Sequence, residues 1–257
     1  MSTASESPMT DPTKTAGART AANQNPEAAA KAVEQMFSSI APKYDLLNHV
    51  LSMNVDRWWW WRTARRFRSV LQQHDNAVLD LCCGTGDMAF ALYKQSGGSG
   101  AKITGADFSR AMLERARVKG EGKPIEWVEA DALHMPFADA SFNLVTSAFG
   151  FRNLSDYDAG LREIARVLRS NGEIGILDFG EPKGLIGRFY RFYFRNVLPR
   201  VGTMISGIKG PYAYLPASVA RFPEPPEMLE RMKAAGFREV SYTPYTFGIA
   251  GLYWGRK

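Results

Sequence analysis

The stretch Val78-Leu-Asp-Leu-Cys-Cys-Gly-Thr-Gly-Asp87 runs from an apolar segment into a glycine-rich loop and then into a helical pattern. Gly84, Gly86 and Ala89 match the loose fingerprint G-x-G-x-x-G/A, in which backbone N–H groups at the start of a helix approach a ligand closely. This signature alone is compatible with more than one nucleotide cofactor. It predicts a strand, a ligand-binding loop and a helix, in that order.

Downstream of this loop, short apolar or β-branched runs alternate with helical patterns. The predicted strands are Ala77–Leu81, Lys102–Ala106, Ile125–Glu129, Phe142–Ser147 and Gly172–Phe179, and the predicted helices are Asp87–Gln95, Ser109–Val118 and Asp156–Leu168. This alternation predicts an α/β fold with a mostly parallel, doubly wound sheet. A helix at Pro226–Ala235 precedes a predicted antiparallel strand pair, Glu239–Tyr245 and Ile249–Trp254. Asn171-Gly172 is predicted to form the turn before the fifth strand, with the glycine in the left-handed region.

The 257 residues have the length of one large domain. Residues 1–30 are rich in small and polar residues and are predicted to form a disordered leader, which leaves residues 31–257 as a single domain. Its N-terminal part, residues 31–71, is predicted to be helical, with helices at Glu27–Ile40 and Asp56–Leu71. Residues 182–215 are too long for a tight connection and are predicted to form an inserted cap.

The composition, 45% hydrophobic and 23% charged, is that of an ordinary globular protein. No segment supplies the roughly 18 to 20 apolar residues of a membrane-spanning helix, and the N-terminus lacks a secretory signal, so we expect a cytoplasmic protein. The adjacent Cys82 and Cys83 suit neither a disulfide framework nor a metal site. The net charge of +6 permits an anionic membrane surface as a partner. Nucleic acid is not expected, because there is no dedicated basic tail or separate binding domain.

Carboxylates discriminate between the possible cofactors. A pyrophosphate bound at the start of a helix is repelled by Asp80 and Asp87, which flank the loop, whereas the ammonium and sulfonium of S-adenosylmethionine are attracted. Asp107, at the end of the second strand, can accept hydrogen bonds from ribose hydroxyls, or alternatively cap the next helix. Asp131, after the third strand, can accept from the adenine amino group, and Ala132 leaves space for the ring. These residues predict a Rossmann-like class I methyltransferase fold that binds S-adenosylmethionine.

Several motifs resemble those of the ubiquinone/menaquinone biosynthesis C-methyltransferases, the UbiE/MenG family. They are Met36-Phe-Ser-Ser-Ile-Ala-Pro-Lys-Tyr-Asp-Leu-Leu-Asn48, Asp80-Leu-Cys-Cys-Gly-Thr-Gly-Asp87, Phe149-Gly-Phe-Arg-Asn153, and Tyr212-Ala-Tyr-Leu-Pro-Ala-Ser-Val219 followed by Arg221-Phe-Pro223. The resemblance implies methylation of a ring carbon of a polyprenylated quinol, most simply demethylmenaquinol to menaquinol; the benzoquinol step of ubiquinone biosynthesis is the alternative. It also implies cofactor contacts at Thr85, Asp107, Asp131 and Ala132. Where the family often has a serine, this chain has Ala148, which leaves the backbone or Ser147 to make that contact.

Methyl transfer to carbon depends mainly on alignment of donor and acceptor, with added help in stabilising a deprotonated quinol oxygen. Arg152, just beyond the fourth strand, is a candidate for that role, and the alternative is a structural ion pair. Tyr44, Asp45 and Asn48 are candidates to close over the cofactor, with Asp45 as a base. The alternative for these three residues is helix capping and packing.

Trp58, Trp59, Trp60 and Trp61 cannot all lie on one side of a helix, because successive residues turn by about 100°. With nearby arginines they predict either a surface that docks on a membrane or core packing beside a solvated basic face. The predicted cap offers aromatic surface for an isoprenoid or for a homo-oligomer interface. Two rival functions remain open: another small-molecule or RNA methyltransferase, and a non-catalytic membrane adaptor that keeps the fold.

Overall fold

The computed structural model describes residues 54–182 and 218–257, together with residues 184, 187 and 188. The predicted leader, the predicted helix at Glu27–Ile40 and almost all of the predicted cap lie outside the described residues. The described elements, in chain order, are α1 (Val55–Arg66), α2 (Arg68–Leu71), β1 (Ala77–Leu81), α3 (Asp87–Ser96), β2 (Lys102–Asp107), α4 (Arg110–Lys119), β3 (Ile125–Glu129), β4 (Phe142–Ala148), α5 (Tyr157–Val167), β5 (Leu168–Phe179), α6 (Pro225–Ala234), β6 (Arg238–Tyr245) and β7 (Ala250–Arg256). None of these helices has both the length and the apolar character needed to span a bilayer.

Seven strands form one sheet in the order β3-β2-β1-β4-β5-β7-β6. The pairs from β3 to β5 are parallel, and β7 runs antiparallel to both β5 and β6. The prediction of a mostly parallel sheet with a C-terminal antiparallel pair is therefore confirmed. Successive residues of a strand face opposite sides. Val78 accordingly belongs to the core packed by α1, α2 and α3, and Leu79 belongs to the core packed by α5 and α6.

The carboxyl ends of the parallel strands meet at one edge of the sheet, where ligands of open α/β sheets bind. Asp107, Ala148 and Phe179 are the last residues of β2, β4 and β5 at this edge. The register also brings Phe179 opposite Ala250, the first residue of β7. The turn between β6 and β7 therefore lies at the same edge as the glycine-rich loop.

The helix predicted over Asp56–Leu71 is interrupted at Phe67, which has φ −97° and ψ 14°. The ring of Phe67 is fully buried against β5, where a Cβ on Gly175 would lie 2.5 Å from it. The interruption turns the chain so that both α1 and α2 contribute to the same core. The prediction of one continuous helix was wrong, because the helical pattern in the sequence carries no information about the contact between Phe67 and β5.

The fifth strand begins at Leu168 rather than at Gly172, with a register shift against β4 between Phe142 and Leu144. Asn171, not Gly172, adopts the left-handed conformation, with φ 64°. The Asn171 amide donates to the Lys257 carbonyl at 3.1 Å, and the Lys257 amide donates to the Gly172 carbonyl at 2.9 Å. These bonds fasten the irregular segment to the end of the neighbouring antiparallel strand. The other predicted boundaries lie within two residues of those observed.

The indole of Trp127, on β3, occupies a space that exists because two neighbouring residues are glycines. A Cβ on Gly105 would lie 2.5 Å from this ring, and a Cβ on Gly86 would also lie 2.5 Å from it. Phe90 of α3 makes an edge contact with the indole, with ring centroids 5.7 Å apart. Trp127 thus packs beneath the glycine-rich loop and the first turn of α3.

We expect Gly105→Ala to lower the free energy of unfolding by about 1–3 kcal/mol, because the added methyl group collides with the Trp127 ring. Urea unfolding followed by circular dichroism measures this change. The double variant Gly105→Ala, Trp127→Phe should lose less than the sum of the two single variants, since the smaller ring relieves the collision. Strict additivity of the two effects would contradict this packing.

Candidate functional site

The glycine-rich loop connects β1 to α3 through three residues with positive φ: Cys82 at 55°, Gly84 at 55° and Gly86 at 91°. The amide of Cys83 donates to the Ala106 carbonyl at 3.0 Å, which holds the loop against the end of β2. A Cβ on Gly84 would meet nothing within 4 Å. The loop therefore leaves open space directly above Gly84, whereas Gly86 is required by its left-handed backbone and by Trp127.

Asp80, in β1, is fully buried. The Thr146 hydroxyl of β4 donates to its Oδ1 at 2.9 Å, and among the described residues no hydrogen bond reaches its Oδ2. Burial raises the pKa of Asp80 to about 7, an effect opposed by Thr146 and by the nearby amide of Ala89 and reinforced by Asp107 and Asp87. A carboxylate that is buried with one oxygen unsatisfied favours a cationic or hydrogen-donating ligand.

Asp107 ends β2 with both oxygens facing backbone amides. Its Oδ2 accepts from Gly84 at 2.8 Å, and its Oδ1 accepts from Ser109 at 2.9 Å. Burial raises the pKa of Asp107 to about 6, and the amides of Ser109 and Gly84 oppose that rise. Ser109 is itself the N-cap residue of α4, and among the described residues the N-terminus of α4 has no side-chain cap hydrogen bond. The bond from the Ser109 amide therefore lies outside the helix, and the capping alternative for Asp107 is not realised. The bond to Gly84 also ties the carboxylate to the loop, and each oxygen keeps a second lone pair for a hydroxyl donor.

Asp87 was expected to attract a cationic cofactor, but its carboxylate is paired with a lysine of the same chain. Lys119, at the end of α4, donates to its Oδ1 at 2.9 Å and to the Thr85 hydroxyl at 3.1 Å. The charge of Asp87 is therefore compensated by an ion pair. Of the two carboxylates that flank the loop, only Asp80 is without an ion-pair partner among the described residues.

Asp131 and Ala132 follow β3 at the same edge of the sheet. The Asp131 side chain is 61% exposed, its Oδ1 accepts from the Leu133 amide at 2.9 Å, and its Oδ2 lies 3.3 Å from the His134 ring. Ala132 is buried. This places an accessible carboxylate beside a small side chain, the arrangement that the adenine prediction requires.

Ser147 and Ala148 end β4, next to β1. Ser147 is buried, and its hydroxyl has no hydrogen-bonding partner in the described part of the chain, although it lies close enough to Cys82 to influence that thiol. Ala148 is half-buried and packs beside Phe149. The hydroxyl of Ser147 is thus available for a contact. It lies one residue before Ala148, the position at which the sequence resemblance leads us to expect a serine.

Arg152 lies in a turn of 3-10 helix after β4 and forms a buried ion pair with Asp178 of β5. Its Nη1 donates to Asp178 Oδ1 at 2.9 Å and also to the Phe149 carbonyl, while its amide donates to Asp178 Oδ2 at 3.0 Å. Both side chains are almost completely buried. Within the described residues its Nε has no partner. The structural alternative for Arg152 is therefore realised, and one guanidinium donor remains unused.

Phe149 adopts a left-handed backbone with φ 58°, which is unusual for a bulky residue. Its amide donates to the Leu177 carbonyl at 2.7 Å. Its ring lies 4.5 Å from that of Phe179 and 5.7 Å from that of Trp59, measured between centroids. Arg152 stacks over Phe179 at 5.2 Å. These contacts form an aromatic wall beside the ion pair.

The structure brings the predicted residues Asp80, Gly84, Asp107, Ala148 and Arg152 to one edge of the sheet. Tyr44, Asp45 and Asn48 lie outside the described residues. Asp178, Thr146 and Lys119 were not singled out from the sequence. Asp178 carried a detectable signal, because an acidic residue within the apolar run Ile174-Gly-Ile-Leu-Asp-Phe179 needs a buried partner.

Comparison with known proteins places these features in context. Residues 24–257 match the model of the ubiE/COQ5 methyltransferase family. The demethylmenaquinone methyltransferase of Deinococcus radiodurans is 48% identical over 88% of this chain and 93% of its own length. That of Thermus thermophilus is 46% identical over 86% of this chain and 100% of its own length. A SAM-dependent methyltransferase from Thermotoga maritima shares the fold, with a TM-score of 0.59 and 19% identity over 87% of this chain and 99% of its own.

The raised pKa of Asp80 predicts a specific dependence of stability on pH. The folded state keeps a proton that the unfolded chain releases, so the stabilisation present below about pH 4 is lost as the pH rises to about 7. Asp80→Asn keeps the bond from Thr146 but cannot ionise. We therefore compare the free energy of unfolding of Asp80→Asn with that of wild type at each pH. The variant minus wild-type difference should be more positive at pH 8 than at pH 4.5.

Urea unfolding at the two pH values measures this difference. Glu121→Gln serves as the matched control for the loss of a carboxylate, because Glu121 is exposed and forms no ion pair with the described residues. This substitution should leave the pH dependence unchanged. Identical pH profiles for wild type and Asp80→Asn would refute the assignment.

Proposed function

The chain belongs to the ubiE/COQ5 methyltransferase family, and from this premise we propose that it methylates a ring carbon of a polyprenyl quinol, converting demethylmenaquinol to menaquinol. The methyl donor is S-adenosylmethionine. The observation that carries the proposal is the half-satisfied, fully buried Asp80 beside the open space above Gly84. The naphthoquinol substrate is supported by the names of the Deinococcus radiodurans and Thermus thermophilus relatives, which are 48% and 46% identical to this chain.

The residues at this edge fit the donor. Asp80 offers one unsatisfied oxygen to its ammonium group, and a buried carboxylate gains strongly from a cationic partner. Asp107 retains lone pairs for the ribose hydroxyls. Asp131 is the acceptor for the adenine amino group, with Ala132 beside the ring. Contacts from the backbone of Gly84, Gly86 and Ala148 and from Thr85 complete the proposed set.

When bound, S-adenosylmethionine supplies an electrophilic methyl group. Transfer of that methyl would form a bond to the acceptor ring carbon as the bond between the methyl and the sulfonium sulfur breaks, with the sulfur leaving as a neutral thioether. Loss of the proton on the same ring carbon would then restore the aromatic ring. Arg152 is proposed to stabilise the negative charge on the neighbouring quinol oxygen, because Asp178 fixes its guanidinium and Nε has no partner among the described residues. Asp45 is proposed as the proton acceptor, and Tyr44 and Asn48 are proposed to close over the cofactor.

The proposed substrate dissolves in lipid, so the protein must meet the membrane surface. We propose that it does so from the cytoplasm, as a peripheral protein. The sequence expectation of a homo-oligomer stays a prediction.

A competition assay tests the substrate class. Purified protein is incubated with methyl-labelled donor and, in parallel, with reduced demethylmenaquinone, with a demethylated polyprenyl benzoquinol precursor, or with RNA. We expect label in the naphthoquinol product, and Asp107→Ala should abolish it by removing the ribose acceptor. Label in RNA alone, or no turnover together with no donor binding by calorimetry, would overturn the proposal, and a preference for the benzoquinol would reassign the substrate.

Arg152→Gln should lower kcat by roughly 10²-fold with little change in the KM for the donor, because a positioned charge at the developing oxyanion is lost. The loss should shrink as the pH rises, since more of the quinol is then deprotonated in solution. A purely structural role predicts a loss that does not depend on pH.

Asp178→Asn is the matched control for this experiment. It keeps the guanidinium but breaks the buried pair, so it should lower the free energy of unfolding by about 3–5 kcal/mol. Where both variants remain folded, Asp178→Asn should retain more of kcat than Arg152→Gln. The reverse order would contradict the role proposed for Arg152.

A further inference from the structure

The outer face of α1 adjoins the turn between β6 and β7, because Trp59 Nε1 of α1 donates to the Thr246 hydroxyl of the turn at 2.8 Å. We call these two neighbouring surfaces the aromatic-basic rim, which consists of Trp58, Trp61, Arg62, Arg65 and Phe247. Arg62 stacks over Trp58 at 5.3 Å and over Tyr245 of β6 at 5.1 Å, and Arg65 stacks over Trp61 at 5.2 Å. These contacts join the helix face to the strand that leads into the turn.

Three large aromatic side chains of this rim face solvent. Trp58 is 42% exposed, Trp61 is 39% exposed and Phe247 is 77% exposed. Trp59, between them in sequence, is instead buried against Phe149 and Phe179. Single exposed apolar residues are common, but several large exposed aromatic side chains on neighbouring elements indicate an interaction surface.

Phe247 is held in solvent by an unfavourable backbone. Thr246 and Phe247 both have positive φ, 45° and 58°, ahead of Gly248 at 90°. Trp59 Nε1 donates to the Thr246 hydroxyl at 2.8 Å, and the Gly180 amide donates to the Ile249 carbonyl at 3.0 Å. The fold thus maintains a strained turn that exposes an aromatic ring, a combination that accompanies function more often than packing.

The rim carries positive charge that the described part of the protein does not neutralise. Arg62 and Arg65 are exposed, and neither forms an ion pair with an acidic side chain among the described residues. By contrast, Arg110 pairs with Glu114, and Arg166 pairs with Glu163. Unpaired guanidinium groups beside exposed tryptophans are complementary to an anionic, partly apolar surface.

The rim also adjoins the candidate site. The turn carrying Phe247 lies at the carboxyl edge of the sheet, and Trp59 connects α1 to the aromatic wall of Phe149 and Phe179 next to Arg152. A partner bound at the rim would therefore lie beside the entrance to the site.

We propose that the aromatic-basic rim docks the protein on an anionic lipid bilayer. Trp58, Trp61 and Phe247 enter the interfacial region, and Arg62 and Arg65 contact lipid phosphates. The docking itself follows from exposure, charge and strain; only its purpose, delivery of a lipid-soluble quinol to the adjacent site, rests on the proposed function.

Vesicle co-sedimentation of the full chain tests the docking, using phosphatidylcholine vesicles with and without phosphatidylglycerol. Phe247→Asn should weaken binding by about tenfold, because an inserted ring is lost, while asparagine tolerates the left-handed backbone and keeps the protein folded. The double variant Arg62→Gln, Arg65→Gln should remove most of the preference for phosphatidylglycerol, at about fivefold per arginine.

Two control substitutions remove the same kinds of group, an exposed apolar side chain and an exposed arginine, from α4. Val118→Ser removes an exposed apolar side chain of α4, and Arg110→Gln removes an exposed charge there. Both should bind vesicles like wild type. Vesicle binding that is equal in wild type and in the rim variants would overturn the proposal. So would a dimer that dissociates in Phe247→Asn without any vesicle binding, because a second copy would then be the partner of the rim.

Activity separates this proposal from the proposed function. With a short-chain, water-soluble quinol, Phe247→Asn should turn over like wild type, whereas with a long-chain quinol embedded in vesicles it should be several-fold slower. Wild type that binds vesicles but methylates neither quinol would defeat the proposed function and leave the docking intact. Equal rates of both proteins on embedded quinol would defeat the delivery role.

Discussion

Three carboxylates are buried where the parallel strands end, and burial of charge is the constraint around which this edge of the molecule is organised. Asp178 is paired with Arg152, and Asp107 is held by two backbone amides. Asp80 receives one hydroxyl donor and remains half-satisfied. The three carboxylates therefore differ in role. Asp178 belongs to a structural ion pair, Asp107 anchors the loop, and Asp80 favours a cationic ligand.

The glycine-rich loop is shaped from both of its sides. Above it, Gly84 leaves open space, and below it the Trp127 indole occupies the space beside Gly86 and Gly105. Because Asp107 also bonds to the Gly84 amide, the end of β2, the loop and the start of α3 form one rigid unit.

Arg152 is connected to α1 through a series of side-chain contacts. Asp178 and the Phe149 carbonyl hold the guanidinium, Phe149 and Phe179 pack beside it, and Trp59 links this wall to α1. The exposed neighbours of Trp59 in the aromatic-basic rim therefore lie on the same helix as the residue that contacts this wall.

Local patterns in the sequence were sufficient for the sheet, the loop and the placement of Asp80, Asp107 and Arg152 at one edge, because hydrophobic periodicity and strand order determine where parallel strands end. They were insufficient for the pairing of charges. Asp178 lies 26 residues from Arg152, Lys119 lies 32 residues from Asp87, and Thr246 lies 187 residues from Trp59. Strand register and helix packing bring these partners together, and they also decide which tryptophans are buried. The sequence by itself thus determined the fold and the residue types at the site, whereas only the tertiary structure decided which charges are compensated and which aromatic rings face solvent.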